Sequence, residues 1–395
     1  MEKLNEQQKK QVRELLARLV AIDSAVTDPH QAMRDRVEEK IADFLTAHLE
    51  GMGMTVEQRF AWPGRPNVIA HWPGQGSQRS LMFESHMDTV TVEGMTVDPF
   101  KAEIRDGKIF GRGTSDTKGT MAAFLTALEI AHARGKLPAD KLYFVGTASE
   151  ETGCDGATVL MESGFRTDAA IVGETTRCRV VTAHKAPNWL TIETQGRPCH
   201  ASVPTEGVNA IEAMARVIQF VHGPWTEHIR KVNHPLLGAS TTQVTTVQGG
   251  AKINIVPARC RCEMDTRFVP GRTLDEWVED FKGMLAEHLG PETGFEVVNR
   301  RDFPFLDTPS DDPLVRNMLA VCNEAVGQQS PAGVNYFANT GPFSEAGIRS
   351  VLFGGGDIAQ AHTADEFLEL DELERATEII LTLLVDNADR SIIGD

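Results

Sequence analysis

A chain of 395 residues, 41% hydrophobic and 24% charged, is globular in composition and too long for one simple core, so two domains are expected. Its formal net charge of −17 repels nucleic acid and anionic membrane, which excludes both as expected partners. No apolar run approaches the roughly 18 residues of a membrane span, Met1–Glu6 lacks a secretory apolar stretch, and six cysteines without a C-x-x-C pair read as reduced thiols, so a cytoplasmic location is expected.

Helical spacing of Val12, Leu15, Leu16, Leu19 and Val20 predicts a helix over 6–21. Val37, Ile41, Phe44, Leu45 and Leu49 predict a second over 31–51, stopped at Gly51. Short apolar strands follow at 54–60, 67–72 and 80–85, and the third runs into Ser85-His86-Met87-Asp88-Thr89. Two residues apart at a strand end, His86 and Asp88 share a face. An imidazole and a carboxylate aimed together suit a metal ligand and the group that orients it; alone, the pair reads more simply as a solvated loop. Asp106-Gly107 predicts a hairpin turn. Gly111-Arg112-Gly113-Thr114-Ser115-Asp116-Thr117-Lys118-Gly119 comes next and lacks the G-K-[ST] ending of a phosphate loop. Asp116 precedes a helix over 120–134, as its N-cap or as a ligand.

The apolar strand 141–148 ends at Ser149-Glu150-Glu151-Thr152-Gly153. Two adjacent carboxylates at the end of a buried strand require a cation or a proton, unless the turn is exposed. Glu174 repeats the pattern after Asp168–Gly173, and His362 follows the strand that ends in Phe353-Gly354-Gly355-Gly356; a last helix is expected over 371–388. Between them, 186–299 reads strand 189–195, helix 206–221, strands 241–248 and 258–268, helix 273–289 and strand 294–299. That β-α-β-β-α-β order is the ferredoxin-like pattern and predicts a domain inserted into a first one formed by 1–185 and 300–395.

His86, Asp88, Asp116, Glu150, Glu151, Glu174 and His362 thus gather at strand ends, where open α/β sheets bind ligands. Imidazoles and carboxylates without a thiolate suit Zn²⁺, Co²⁺ or Mn²⁺. They are too many for one catalytic tetrahedral site and suit two metals sharing a carboxylate and a water.

The segments S-H-M-D-T, G-R-G-T-S-D-T-K-G, S-E-E-T-G, G-E-T-T, H-A-S-V-P-T-E-G-V-N-A, N-I-V-P and Q-A-H-T-A-D-E-F resemble the co-catalytic zinc family of acetylornithine deacetylase, succinyl-diaminopimelate desuccinylase, aminoacylase and glutamate carboxypeptidase, over about residues 10–388. Ala183-His184-Lys185, Glu263–Arg267, Val334-Asn335-Tyr336 and Ile358–His362 are most similar to its deacetylase branch. The resemblance implies a zinc-exopeptidase-like α/β/α catalytic domain, with the insert as lid and dimerisation domain of a homodimer. It implies two Zn²⁺, replaceable by Co²⁺ or Mn²⁺, bridged by Asp116 and completed by His86 and Glu174 on one and Glu151 and His362 on the other. Glu150 is then the general base and Asp88 orients His86. His200, in Pro198-Cys199-His200-Ala201-Ser202, donates to the oxyanion across the dimer, or is an ordinary surface histidine. Asn254, Arg267 and Gly355 contact the substrate, an N-acyl amino acid or, on the same scaffold, a succinylated amine, dipeptide or carboxypeptidase substrate. Gly-Glu-Thr-Thr in place of Gly-Glu-Pro-Thr, Gly355 in place of proline, and His184-Lys185-Ala186 in place of His-Lys-Gly depart from the pattern without removing a ligand.

Overall fold

The computed structural model describes residues 1–26, 37–72 and 79–394. It is mixed α/β, as expected, and divides into two compact units. The first comprises Met1–Thr182, Thr308–Ala332 and Ala338–Asp395; the second comprises Ala183–Asp307 and Gly333–Phe337. The second unit therefore runs beyond 186–299 at both ends and takes up a short later segment.

Four parallel strands make the centre of the first unit, in the order Lys141–Thr147, Ser80–His86, Ala169–Gly173 and Arg349–Phe353. Arg65–His71 and Thr55–Trp62 extend the sheet antiparallel beside Lys141–Thr147. Parallel strands need cover on both faces. Ala169–Gly173 is accordingly buried at every residue, and only Ser80 is not fully buried in Ser80–His86. Glu6–Val20, Lys118–Ala133 and Leu370–Asp386 pack together as helices, and Glu39–Gly51 lies on the antiparallel edge strands. Because the central strands run the same way, His86, the Ser149–Glu151 turn, Glu174 and Gly354 leave the sheet at one edge.

The second unit is a four-stranded antiparallel sheet in the order Thr241–Gly249, Arg259–Phe268, Ala186–Gln195, Phe295–Asp302. Alternate residues of Arg259–Phe268 are buried, Cys260, Cys262, Met264 and Phe268 among them, as one-sided cover by helices requires. Trp277 of the helix Leu274–Leu289 stacks on Phe268 at 5.1 Å, and Phe281 meets Trp225 edge-on at 5.0 Å. All six cysteines are free. Among the described residues no helix is long and apolar enough to cross a membrane.

Some expected bounds move for local reasons. The helix expected over 31–51 is seen from Glu39; 31–36 lies outside the described residues. The helix expected over 206–221 spans Ala210–Phe220, because Asn209 caps it by accepting from the Ile211 and Glu212 N–H groups. A π turn follows at Val221–Trp225, which contains Pro224 with no N–H to give. The helix Pro313–Val326, absent from the expected elements, starts where Asp312 caps it and Pro313 occupies its first turn.

Arg65 and Glu38, both fully buried, join the acidic turn to the sheet edge. Arg65 Nε lies 3.0 and 2.8 Å from the two Glu38 oxygens, Glu38 Oε1 accepts the Ser149 N–H at 3.0 Å, and Arg65 Nη2 is 3.8 Å from Asp88 Oδ2. Removing one member of a buried pair leaves the other charge uncompensated. Arg65→Ala is expected to destabilise the fold by about 3–5 kcal/mol, read from the denaturant midpoint; a loss under about 1 kcal/mol would match an exposed pair instead.

Candidate metal centre

His86 ends its strand with Nδ1 2.9 Å from the carbonyl oxygen of Asp88, which leaves Nε2 facing inward. Nε2 lies 3.1 Å from Asp116 Oδ1 and 3.9 Å from Glu174 Oε1. From the opposite side, His362 Nε2 lies 3.2 Å from both Asp116 Oδ2 and Glu151 Oε2. Asp116 thus presents one oxygen to each imidazole. Two triads whose ligand atoms lie within 4.8 Å of one another overlap here: His86 with Asp116 and Glu151, and His86 with Glu150 and Glu174.

For two motifs the geometry removes one of the alternatives that the sequence left open. Asp116 is not a helix cap: Thr117 holds the cap position of Lys118–Ala133, without a side-chain bond. The Glu150-Glu151 turn is not exposed, since Glu150 is buried and the Glu151 side chain is 6% exposed. Asp88 reaches His86 through its main chain as well as its side chain. Its carboxylate stands 3.6 Å from His86 Nδ1 and also accepts the backbone N–H groups of Glu150 at 3.1 Å and Glu151 at 3.2 Å. The Asp88 carbonyl thus bonds the ring, and the carboxylate beside it holds the acidic turn.

Four buried carboxylates meet two imidazoles here, and the electrostatics follow. Burial, with the neighbouring charges of Asp116 and Glu150, pushes the Glu174 carboxyl well above the usual range. Burial, together with Glu151 and Asp116, does the same to Glu150. Burial also raises Glu151, with Asp116 adding to the effect. Burial opposes ionisation of Asp116 too, but hydrogen bonds to His362 and His86 override it and hold that carboxyl below the usual range. Hydrogen bonds to Asp116 and Glu151 push His362 up to about 11. Glu151 Oε1 is buried and has no hydrogen-bond partner among the described residues. An orphaned carboxylate oxygen among excess buried negative charge fits a divalent cation, and the oxygen and nitrogen donors suit zinc, cobalt or manganese.

The surrounding loops fix these groups. Gly113 has φ +84°, and a Cβ there would stand 2.9 Å from Thr89 Cγ2 and 3.0 Å from Lys118 Cδ. A Cβ at Gly354 would run into Thr120 Oγ1 and the carbonyl of Glu174. Gly354 and Gly356, on either side of the buried Gly355, bond through their carbonyls to the N–H groups of Cys178 at 2.7 Å and Arg177 at 2.9 Å, so the triple glycine lies along the segment after Glu174. In the second unit, His200 is exposed, with Nδ1 2.7 Å from Ser202 Oγ. The Asn254 carbonyl accepts the Ala201 N–H at 3.1 Å, so the His200 and Asn254 loops lie side by side. Arg267 is half-buried and its fork is engaged by Asp265, at 2.9 and 3.1 Å from Nε and 2.9 Å from Nη2.

Sequence reasoning missed the groups behind the site. Glu84, two residues before His86 and fully buried, accepts from Asn339 Nδ2 at 3.0 Å and from the Thr147 hydroxyl, and burial pushes it up to about 7. The signal was a lone carboxylate directly after the apolar run Leu81–Phe83 and still within the strand Ser80–His86. Arg112 and Glu366 were missed too; both sit inside quoted motifs, where their burial could not be read.

The family model "Peptidase family M20/M25/M40" matches residues 82–386. A protein of Myxococcus xanthus named acetylornithine deacetylase is 31% identical over 379 residues, covering 93% of this chain and 95% of that protein. The solved structure of the aminopeptidase PepT from Bacillus cereus ATCC 10987 superposes with a TM-score of 0.77 at 20% identity, over 96% of this chain and 98% of that one. The Bacillus subtilis YXEP protein, described as a dinuclear metal binding peptidase from the M20 family, superposes with a TM-score of 0.73 at 14% identity, over 97% and 99%.

Proposed function

The chain belongs to peptidase family M20/M25/M40, a family of hydrolases, and we propose that within it this enzyme cleaves the amide bond of N-acyl amino acids with the aid of two divalent metal ions, zinc in the first place. The observation that carries this reading is the position of Asp116, one oxygen toward His86 and the other toward His362, amid three further buried carboxylates. Asp116 would be shared between the ions, His86 and Glu174 would hold one and Glu151 and His362 the other, and cobalt or manganese could substitute. Bound there, the ions would acidify a water toward neutral pH and polarise the amide carbonyl.

The remaining chemistry belongs to the side chains. Glu150, its backbone anchored on Asp88 and its carboxyl raised by burial, takes the proton of the attacking water and delivers it to the leaving amine. The similarity to a protein named acetylornithine deacetylase supports an acetylated amino acid as substrate. Asn254, Arg267 and the Gly355 backbone are assigned to holding it, and Arg267 must then share its fork between Asp265 and a carboxylate. Because the matched structures include peptidases, a succinylated amine or a peptide on the same scaffold is the competing reading. A panel of N-acetyl, N-succinyl, N-formyl and dipeptide substrates with zinc-loaded enzyme is expected to show the highest kcat/KM on an N-acetyl amino acid. A preference for dipeptides would overturn the deacetylase assignment.

A cytoplasmic homodimer formed through the second unit completes the proposal. Thr241–Gly249 is an open sheet edge, and Val247 (55%), Ile211 (44%) and Ile253 (fully) are exposed on that unit. His200 is assigned as donor to the oxyanion in the partner's site. Mixing inactive His200→Ala and inactive Glu150→Gln chains should then restore part of the activity as heterodimers form. No recovery in heterodimers confirmed by mass would rule out action across subunits.

A further inference from the structure

We propose that the buried pair Arg112–Glu366 is a positioning device that sets the distance between Asp116 and His362, an inference that rests on the two-metal reading above. The Glu366 side chain is 1% exposed and that of Arg112 is 4% exposed. Glu366 accepts four hydrogen bonds: Oε1 from the N–H groups of Ser115 at 2.9 Å and Asp116 at 3.1 Å, Oε2 from the Gly113 N–H at 3.1 Å and Arg112 Nη1 at 2.7 Å. Arg112 in turn donates to the Thr91 carbonyl from Nε at 3.1 Å and Nη2 at 2.9 Å, and to the Thr363 carbonyl from Nη1 at 3.4 Å.

Three chain segments meet on this one pair. The first follows His86 and contributes Thr91. The second, Gly113–Asp116, carries the shared aspartate. The third, Thr363–Glu366, begins one residue after His362. Asp116 belongs to no helix or strand, and its own N–H is bonded to Glu366, so the carboxylate acts directly on the Asp116 backbone. His362 has φ +62° and is half exposed, so packing alone does not hold it. A fully buried ion pair adds little net stability over an apolar substitute. Converging four donors on one carboxylate does, however, fix the curvature of the loop that bears Asp116, and groups behind metal ligands commonly set ligand geometry.

Glu366→Gln tests this sharply. The amide offers one acceptor oxygen, and its NH₂ must face two donors whichever way it turns, so one side of the loop is released. Arg112→Lys keeps the charge but cannot reach Thr91, Thr363 and Glu366 together. Zn²⁺ titration against a competing chelator, with the visible spectrum of the Co²⁺-loaded protein, should be run on the wild-type chain and both variants. Each variant is expected to bind one of its two metal equivalents about 10–100-fold more weakly, with an altered cobalt spectrum and a lower kcat at little-changed KM. Folded variants with wild-type affinity and spectrum, beside a wild type that binds two metals, would overturn the positioning role alone. A wild type that binds no metal would overturn the two-metal reading and this inference with it. Should Glu366→Gln fail to fold, Arg112→Lys decides in the same assay.

Discussion

Glu150→Gln is expected to lower kcat by about 10²–10⁴-fold while metal content stays at the wild-type level. The expectation follows from three features. The carboxyl is buried and stands within ligand distance of His86 and Glu174, where a water held between two metal ions would lie within its reach. Its backbone is pinned by Asp88 Oδ1, so the shape-conserving substitution should not disturb the turn. Glutamine matches the carboxylate in size but cannot accept and return the proton. Turnover and metal content should be read on the same preparation. Loss of metal together with turnover would make Glu150 a ligand, a role its place in the triad with His86 and Glu174 would explain.

Stripping the enzyme with a chelator should abolish hydrolysis, and Zn²⁺ or Co²⁺ should restore it. The sheet edge gathers Asp116, Glu150, Glu151 and Glu174 against two imidazoles, and one oxygen of Glu151 has no hydrogen-bond partner among the described residues. Without cations that charge is tolerated by binding protons, which is the direction in which Glu150, Glu151 and Glu174 are all shifted. Protonated carboxyls neither ligate nor act as a base. Full activity after complete chelation, with metal confirmed absent, would contradict the proposed chemistry.

Much of this arrangement was legible in the chain because its grammar is local. Apolar runs that end in a polar residue mark parallel strands, and parallel strands place their carboxyl ends together, so His86, Glu150, Glu151 and Glu174 could be expected at one edge before any fold was known. The Asp106-Gly107 hairpin was readable for the same reason, and it joins Glu103–Arg105 to Lys108–Phe110. What could not be read is what depends on contacts across hundreds of residues. The spacing of His86 and Asp88 does not say whether the side chain or the carbonyl of Asp88 meets the ring; the carbonyl does, and the carboxylate turns to Glu150 and Glu151. Glu38 gave no sign of pairing with Arg65, nor Glu366 of closing on the 113–116 loop, because a carboxylate that ends up buried looks the same in sequence as one in water. The helix Pro313–Val326 is a different failure: its Asp-Pro start was visible, but no chemistry in that stretch drew attention to it.

The most direct test of the central claim is a calorimetric titration of Zn²⁺ into the stripped wild-type chain, with hydrolysis followed in parallel. The account predicts saturation at two equivalents per chain and recovery of activity over that range. Saturation at zero or one equivalent, or recovery of full activity without bound metal, would contradict it.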